Sequence, residues 1–122
     1  MIRVLVVDDD PHLRRLVLFA LRLDPELEAT ACDSGETAIA EITAAPDALP
    51  AIVLLDLELP GMGGREIAAR IATLAPDAAI VFVTGAENVD ASAVRGLIKK
   101  PFDPLALAGE VRRIAGAHSD AR

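Results

Sequence analysis

The sequence predicts an α/β protein in which one five-stranded parallel sheet is covered by helices on both faces. The first observation is the apolar run 51–55, which stops at Asp56 and is typical of a strand buried on both sides. The second is that strand and helix patterns alternate along the chain, which favours parallel strands joined by right-handed crossovers. The third is a length of 122 residues with 52% hydrophobic residues, enough for one packed core. We therefore expect a single domain over residues 1–122.

The first strand is predicted over residues 2–7, which apart from Arg3 are apolar and mostly β-branched. An acidic triplet follows, and its last member, Asp10, precedes Pro11. This order is typical of a helix N-cap with proline in the first turn. Apolar residues then recur at helical spacing, so the first helix is expected to continue to about residue 24.

The middle of the chain alternates between the two patterns, with serine and glycine at one helix start and proline at the turns. It predicts, in order, a strand over 28–32, a helix from 34 to about 44, the central strand over 51–55 and a helix over 64–74.

The last third begins with a buried strand predicted over 79–83. The pattern then weakens, and one or two helical turns are expected within 89–95 before a short fifth strand at 97–98. A final helix is predicted after Pro104, continuing to about residue 117 with Leu105 facing the core.

Charge and composition exclude several classes of protein. The 12 Lys and Arg residues against 19 Asp and Glu residues give a net charge of −7, which disfavours direct binding to nucleic acid or to an anionic membrane. No stretch approaches the roughly 20 apolar residues of a membrane span, so a cytoplasmic protein is expected. Cys32 is the sole cysteine, which rules out an internal disulfide.

Chemically reactive side chains stand where the predicted strands end. Each has a common structural role when taken alone: a helix cap for an acid, a strand residue for a threonine, a surface position for a lysine. Because the carboxyl ends of parallel strands meet at one edge of a sheet, we expect these side chains to converge. They are Asp8 and Asp9 after the first strand, Asp56 after the third, Thr84 after the fourth and Lys100 after the fifth.

This set of residue types suits phosphoryl transfer to a carboxylate. Three carboxylates offer the hard oxygen ligands that Mg²⁺ prefers, and Asp56 can serve as the nucleophile. The ammonium group of Lys100 and the hydroxyl group of Thr84 would stabilise the charge of the transferring group.

Four motifs resemble the receiver domain of bacterial two-component response regulators, and the resemblance covers the whole chain. It implies a flavodoxin-like (CheY-like) sheet of order 2-1-3-4-5 with a shortened fourth helix. The motifs are VLVVDDDPHLRRL, LLDLELPGMGG, VFVTG and KKPF.

The resemblance also implies roles, partners and a cofactor. The phosphodonor would be a sensor histidine kinase or a histidine phosphotransfer protein, and the output would be a downstream protein target, with no direct contact to nucleic acid or membrane. The chain would catalyse only its own phosphorylation and dephosphorylation. The implied site residues are the phospho-acceptor Asp56, the Mg²⁺ ligands Asp8, Asp9, Asp56 and the Glu58 backbone carbonyl, the switch hydroxyl of Thr84 and the phosphate-binding Lys100.

The chain departs from the family pattern at Leu97, where most members carry an aromatic residue that moves on activation. The interval from Thr84 to Lys100 is also shorter than usual, which resembles the subgroup with a Phe-Ala-Thr-Gly-like fourth strand. We expect the signal to leave through Thr84 and residues 87–95 instead. The family also implies a cis peptide bond before Pro101.

Two other functions stay open from the sequence. Phosphatases of the haloacid-dehalogenase type also use a strand-end aspartate, Mg²⁺ and a lysine, but they carry Asp-x-Asp where this chain has Asp56, Leu57 and Glu58. A pseudo-receiver that only binds proteins is the other alternative, and the intact acidic set argues against it.

Overall fold

The computed structural model describes residues 1–120, with side chains through residue 116, so the end of the predicted domain lies outside the described residues. Its elements follow in this order: β1 Ile2–Val7, α1 Pro11–Arg22, β2 Leu27–Cys32, α2 Gly35–Ala44, β3 Ile52–Asp56, α3 Gly64–Leu74, β4 Ala79–Thr84, β5 Gly96–Lys99 and α4 Leu107–Asp120. The five strands are parallel and stand in the order β2-β1-β3-β4-β5. The predicted fold class is confirmed.

The helix starts use the caps that the sequence predicts. The Asp10 carboxylate accepts hydrogen bonds from the backbone N–H groups of His12 at 2.9 Å and Leu13 at 3.3 Å, with Pro11 in the first turn. Ser34 caps α2 through the N–H of Thr37 at 3.1 Å. These bonds satisfy amides that the first helical turn leaves without a partner.

The core consists of two apolar layers, one on each side of the sheet. One layer lies between the sheet and helices α1 and α4, and the other lies between the sheet and helices α2 and α3. All five residues of β3 are buried, because this central strand is covered on both faces. Asp56 is therefore attached to a strand that lies wholly in the core.

The helical turns predicted between β4 and β5 are wrong. Residues 85–95, all of which the structure describes, contain one hydrogen-bonded turn from Ala91 to Val94 and no helix. Asn88, just before the predicted turns, has a φ of 55°, a left-handed conformation that a right-handed helix does not contain. The Asp90 carboxylate accepts a hydrogen bond from the Ser92 N–H at 2.9 Å, and this local bond competes with helical pairing. The segment therefore forms bends and a single turn.

The predicted inward position of Leu105 is also wrong, since Leu105 is 80% exposed. The Asp103 carboxylate accepts a hydrogen bond from the Leu105 N–H at 2.9 Å, and the Asp103 carbonyl accepts one from the Ala106 N–H at 3.0 Å. This turn delays the start of α4, so Leu107 takes the buried position. Among the residues that the structure describes, no helix has both the length and the apolar character needed to cross a membrane.

Candidate functional site

The register of the sheet brings the reactive strand ends to one edge. Val7 pairs with Leu55, so Asp8 is level with Asp56 on the neighbouring strand. Asp56 pairs with Val83, which puts Thr84 one position beyond it. Thr84 in turn pairs with the end of β5, where Lys100 follows. The convergence expected from the strand order is present.

Three carboxylates form a cluster at this edge. Asp8, Asp9 and Asp56 each contribute one oxygen, and these oxygens lie within 4.8 Å of one another. Asp8 is 4% exposed and Asp56 is 6% exposed, whereas Asp9 faces solvent. The Asp8 carboxylate accepts a hydrogen bond from the Asp10 N–H at 2.9 Å, which fixes its orientation.

Burial and crowding disfavour the charged form of Asp8. Loss of hydration raises its pKa above the ordinary value of 3.8, and the nearby Asp56 and Asp9 carboxylates raise it further, against the opposing effects of the Asp10 N–H and Lys100. A cation among the three carboxylates would relieve this repulsion. The residues therefore fit a hard divalent ion such as Mg²⁺, which binds one or two carboxylates and keeps several waters.

Asp56 is held from two sides. One of its oxygens accepts a hydrogen bond from the Glu58 N–H at 3.0 Å, and the other lies 3.6 Å from the Nζ atom of Lys100. Lys100 is half-buried, and the peptide bond to Pro101 is cis, as the resemblance implied. Asp56 thus has a fixed carboxylate beside a positive charge that could stabilise an incoming anionic group.

Thr84 is fully buried, and its hydroxyl group already has two partners. It donates a hydrogen bond to the Glu58 carboxylate and accepts one from the Ala86 N–H, at 3.0 Å. The contact with the Glu58 side chain was not predicted from the sequence. The sequence feature that could have indicated this contact is the position of Glu58, two residues after Asp56.

Lys99 is a second residue that the sequence reasoning missed. Its Nζ atom donates to the Ala86 carbonyl at 2.7 Å and lies 3.2 Å from the Glu87 carboxylate. The sequence feature that could have pointed to Lys99 is the pair of lysines, Lys99 and Lys100, before Pro101. The two lysines have different contacts, since Lys100 contacts the acidic cluster and Lys99 contacts the loop after β4.

The chain has clear relatives. Residues 4–112 match the family described as "Response regulator receiver domain". The response regulator receiver protein CpdR of Brucella abortus is 32% identical over 118 residues, which cover 92% of this chain and 95% of that protein. The DNA-binding response regulator MtrA of Mycolicibacterium smegmatis is 34% identical over 116 residues, or 90% of this chain, and the chain spans about half (49%) of MtrA.

A solved structure supports the same fold. The crystal structure of a CheY-like response regulator receiver domain protein from Methanospirillum hungatei superposes with a TM-score of 0.84 at 22% identity. The match covers 100% of this chain and 99% of that one.

Proposed function

The chain belongs to the response regulator receiver family of two-component signalling systems, and we propose that it is a phospho-accepting switch whose acceptor is Asp56. The observation that carries the proposal is the environment of Asp56, a buried carboxylate 3.6 Å from the Lys100 Nζ atom and beside two further carboxylates. One described sheet joins all of these residues, which supports one receiver unit over residues 1–122.

In the proposed reaction a carboxylate oxygen of Asp56 attacks the phosphorus atom of the donor. A new O–P bond forms, and the P–N bond of a phosphohistidine or the P–O bond of an acyl phosphate breaks, with its electron pair leaving on the nitrogen or oxygen. Lys100 would neutralise part of the charge on the transferring group. Thr84 would donate its hydroxyl proton to one phosphoryl oxygen once Asp56 is loaded.

Mg²⁺ is the proposed cofactor. Asp8, Asp9, Asp56 and the backbone carbonyl of Glu58 would hold it, and the cluster of three carboxylates supports the first three of these assignments. When bound, the ion would offset the negative charge of the acceptor and of the phosphoryl oxygens. Asp8 and Asp9 would therefore act by holding the positive charge of the ion next to Asp56.

The proposed phosphodonor is a sensor histidine kinase or a histidine phosphotransfer protein in the cytoplasm, and the output is a protein target. Helix α1 supports a docking surface for the donor, because it begins next to the acidic cluster and exposes the apolar residues Leu16 and Phe19. Arg15 and Arg22 flank these residues, and α1 contains no acidic residue. An amphipathic donor helix with acidic flanks would complement this surface.

Intact-mass measurement with acetyl phosphate and Mg²⁺ tests the proposal. We expect one added phosphoryl group, which is absent in Asp56→Asn and in the presence of a chelator. Asp77→Asn, which removes an exposed acid far along the chain, is the matched control and should be phosphorylated normally.

Three outcomes would overturn the assignment. Uptake by Asp56→Asn at the wild-type rate would show that another residue is the acceptor. Release of many equivalents of phosphate from a phosphate ester would indicate a phosphatase, whereas no uptake at all would indicate an interaction domain without phosphorylation.

A further inference from the structure

A continuous hydrogen-bonded path joins the proposed acceptor to the loop between β4 and β5. Asp56 accepts from the Glu58 N–H, and the Glu58 carboxylate accepts from the Thr84 hydroxyl. The Thr84 oxygen accepts from the Ala86 N–H, and the Ala86 carbonyl accepts from the Lys99 ammonium at 2.7 Å. The path therefore begins at the acceptor carboxylate and ends on the exposed side of β5.

We propose that this path is a resting-state latch on the β4–β5 loop, residues 85–95, and that phosphorylation releases it. Glu58 holds the loop through Thr84, and Lys99 holds it through the carbonyl of Ala86. Both act as positioning residues through their side chains. The resting latch is independent of the proposed function, whereas its release rests on Asp56 being the phospho-acceptor.

Thr84 can donate a hydrogen bond either to Glu58 in the latch or to a phosphoryl group. A hydroxyl group has one proton to donate, so Thr84 cannot donate to Glu58 and to a phosphoryl oxygen at the same time. The two acceptors are both anionic, and a phosphoryl group on Asp56 would repel the Glu58 carboxylate. Glu58 is exposed and can turn into solvent, whereas Thr84 is fully buried and needs a partner. On phosphorylation the Thr84 hydroxyl thus stops donating to the Glu58 carboxylate and donates to a phosphoryl oxygen instead.

Release of Thr84 changes the position of the loop through Ala86. The Ala86 N–H is bound to the Thr84 oxygen, so displacement of Thr84 moves the Ala86 peptide away from Lys99. The rest of the loop has weak anchors, since Val89 and Val94 are only half-buried against the core. A loop with few buried contacts rearranges at low cost in free energy.

This path explains how the chain can report phosphorylation without an aromatic residue at position 97. Leu97 packs against the apolar layer on the α2–α3 side and has no polar group with which to follow Thr84. Lys99, two residues further on, reaches the loop directly. The coupling element is therefore a charged side chain at the surface.

The resting latch is tested by amide hydrogen exchange on the protein without a phosphodonor. Lys99→Met keeps most of the aliphatic stem but removes the donor, and exchange at residues 86–95 should become about fivefold faster, the factor expected for one lost hydrogen bond. Lys99→Arg should restore protection. Arg95→Met removes one positive charge from the same loop without contacting Ala86, and it should leave the exchange of Ala86 unchanged. Equal exchange in Lys99→Met and wild type would overturn the latch.

Its release is tested by the same measurement with beryllofluoride and Mg²⁺, alongside intact-mass measurement with acetyl phosphate. In wild type the exchange of residues 86–95 should rise, and in Lys99→Met this rise should shrink to less than half while phosphoryl uptake is unchanged. Glu58→Ala should likewise raise exchange at Ala86 before any phosphodonor is added.

An undiminished rise in the exchange of Lys99→Met, with normal phosphoryl uptake, would overturn the proposed release and leave the phospho-acceptor assignment standing. If wild type takes up no phosphoryl group, both the phospho-acceptor assignment and the proposed release are wrong. The resting latch is still tested in that case, because it depends only on the comparison of hydrogen exchange between Lys99→Met and wild type without a phosphodonor.

Discussion

At the scale of single residues, the site is dominated by carboxylates that the fold forces together. Asp8 and Asp56 are both buried, and Asp8 has a raised pKa because it has lost hydration and faces other acids. Lys100 offsets part of this repulsion from 3.6 Å. The metal-free protein therefore carries an unfavourable charge arrangement that a bound cation would relieve.

Asp8→Asn should stabilise the metal-free protein and weaken Mg²⁺ binding. The amide oxygen of asparagine can still accept the Asp10 N–H, so the variant loses the charge and keeps the hydrogen bond. In chelator at pH 7 we expect a gain on the order of 1 kcal/mol in the free energy of unfolding. Urea unfolding with and without Mg²⁺ measures both effects.

The pH dependence of this gain has a definite sign. A carboxyl group with a raised folded pKa contributes stability below its unfolded pKa and loses it as the pH rises through the folded value. The advantage of Asp8→Asn should therefore be largest at neutral pH and fade as the pH falls toward 3.8. A variant that is less stable than wild type in chelator would mean that Asp8 is mainly a structural hydrogen-bond acceptor.

At the scale of elements, α3 packs tightly on the chain that follows Asp56. A β-carbon added at Gly64, the first residue of α3, would lie 2.7 Å from the Leu57 carbonyl oxygen and 2.9 Å from its α-carbon. Both are backbone atoms, so they cannot move aside as a flexible side chain would. Leu57 directly follows Asp56, and this contact therefore links the position of α3 to the geometry of the site.

Gly64→Ala should destabilise the protein by about 1 to 3 kcal/mol, the usual cost of overpacking. The same displacement of Leu57 should slow phosphoryl uptake from acetyl phosphate. The neighbouring Gly63→Ala is the control, since a β-carbon there meets nothing within 4 Å and its φ of −63° suits any residue. Equal melting temperatures for the two variants would show that α3 can shift freely.

At the scale of the whole molecule, an ion pair joins α4 to the connection between α1 and β2. The guanidinium group of Arg112 lies 2.9 Å from the Asp24 carboxylate and 3.5 Å from that of Glu26. The backbone N–H of Glu26 and the Arg112 side chain together lower the pKa of Asp24 below 3.8. This contact bridges residues 88 positions apart in the sequence.

Arg112→Gln should lower the melting temperature at neutral pH, and the loss should disappear in acid. A carboxylate with a lowered folded pKa contributes stability above its unfolded pKa and loses it as the pH falls through the folded value. The difference between wild type and variant should therefore shrink below pH 3.8. Arg113→Gln, which breaks only a pair with Glu110 within α4, should have a smaller effect. A pH-independent difference would indicate that Arg112 acts by packing alone.

The sequence by itself determined the sheet, its helices and the edge that carries the site. Apolar runs such as 51–55 can be satisfied only in a strand that is covered on both faces, and parallel strands bring their carboxyl ends to one edge. For this reason Asp8, Asp56, Thr84 and Lys100 could be grouped before any distance was known. The main strand and helix positions agree with the structure to within a few residues.

Only the tertiary structure decided the features that depend on distance through space. The β4–β5 connection forms no helix, with Asn88 at a φ of 55° and the Asp90 carboxylate bound to the Ser92 N–H, and Leu105 faces solvent because a turn at Asp103 delays α4. The contacts of Thr84 with Glu58 and of Lys99 with Ala86 join residues 26 and 13 positions apart. Local sequence patterns carry no information about such pairs, since the partners are chosen by strand register and by the side-chain rotamers that packing permits.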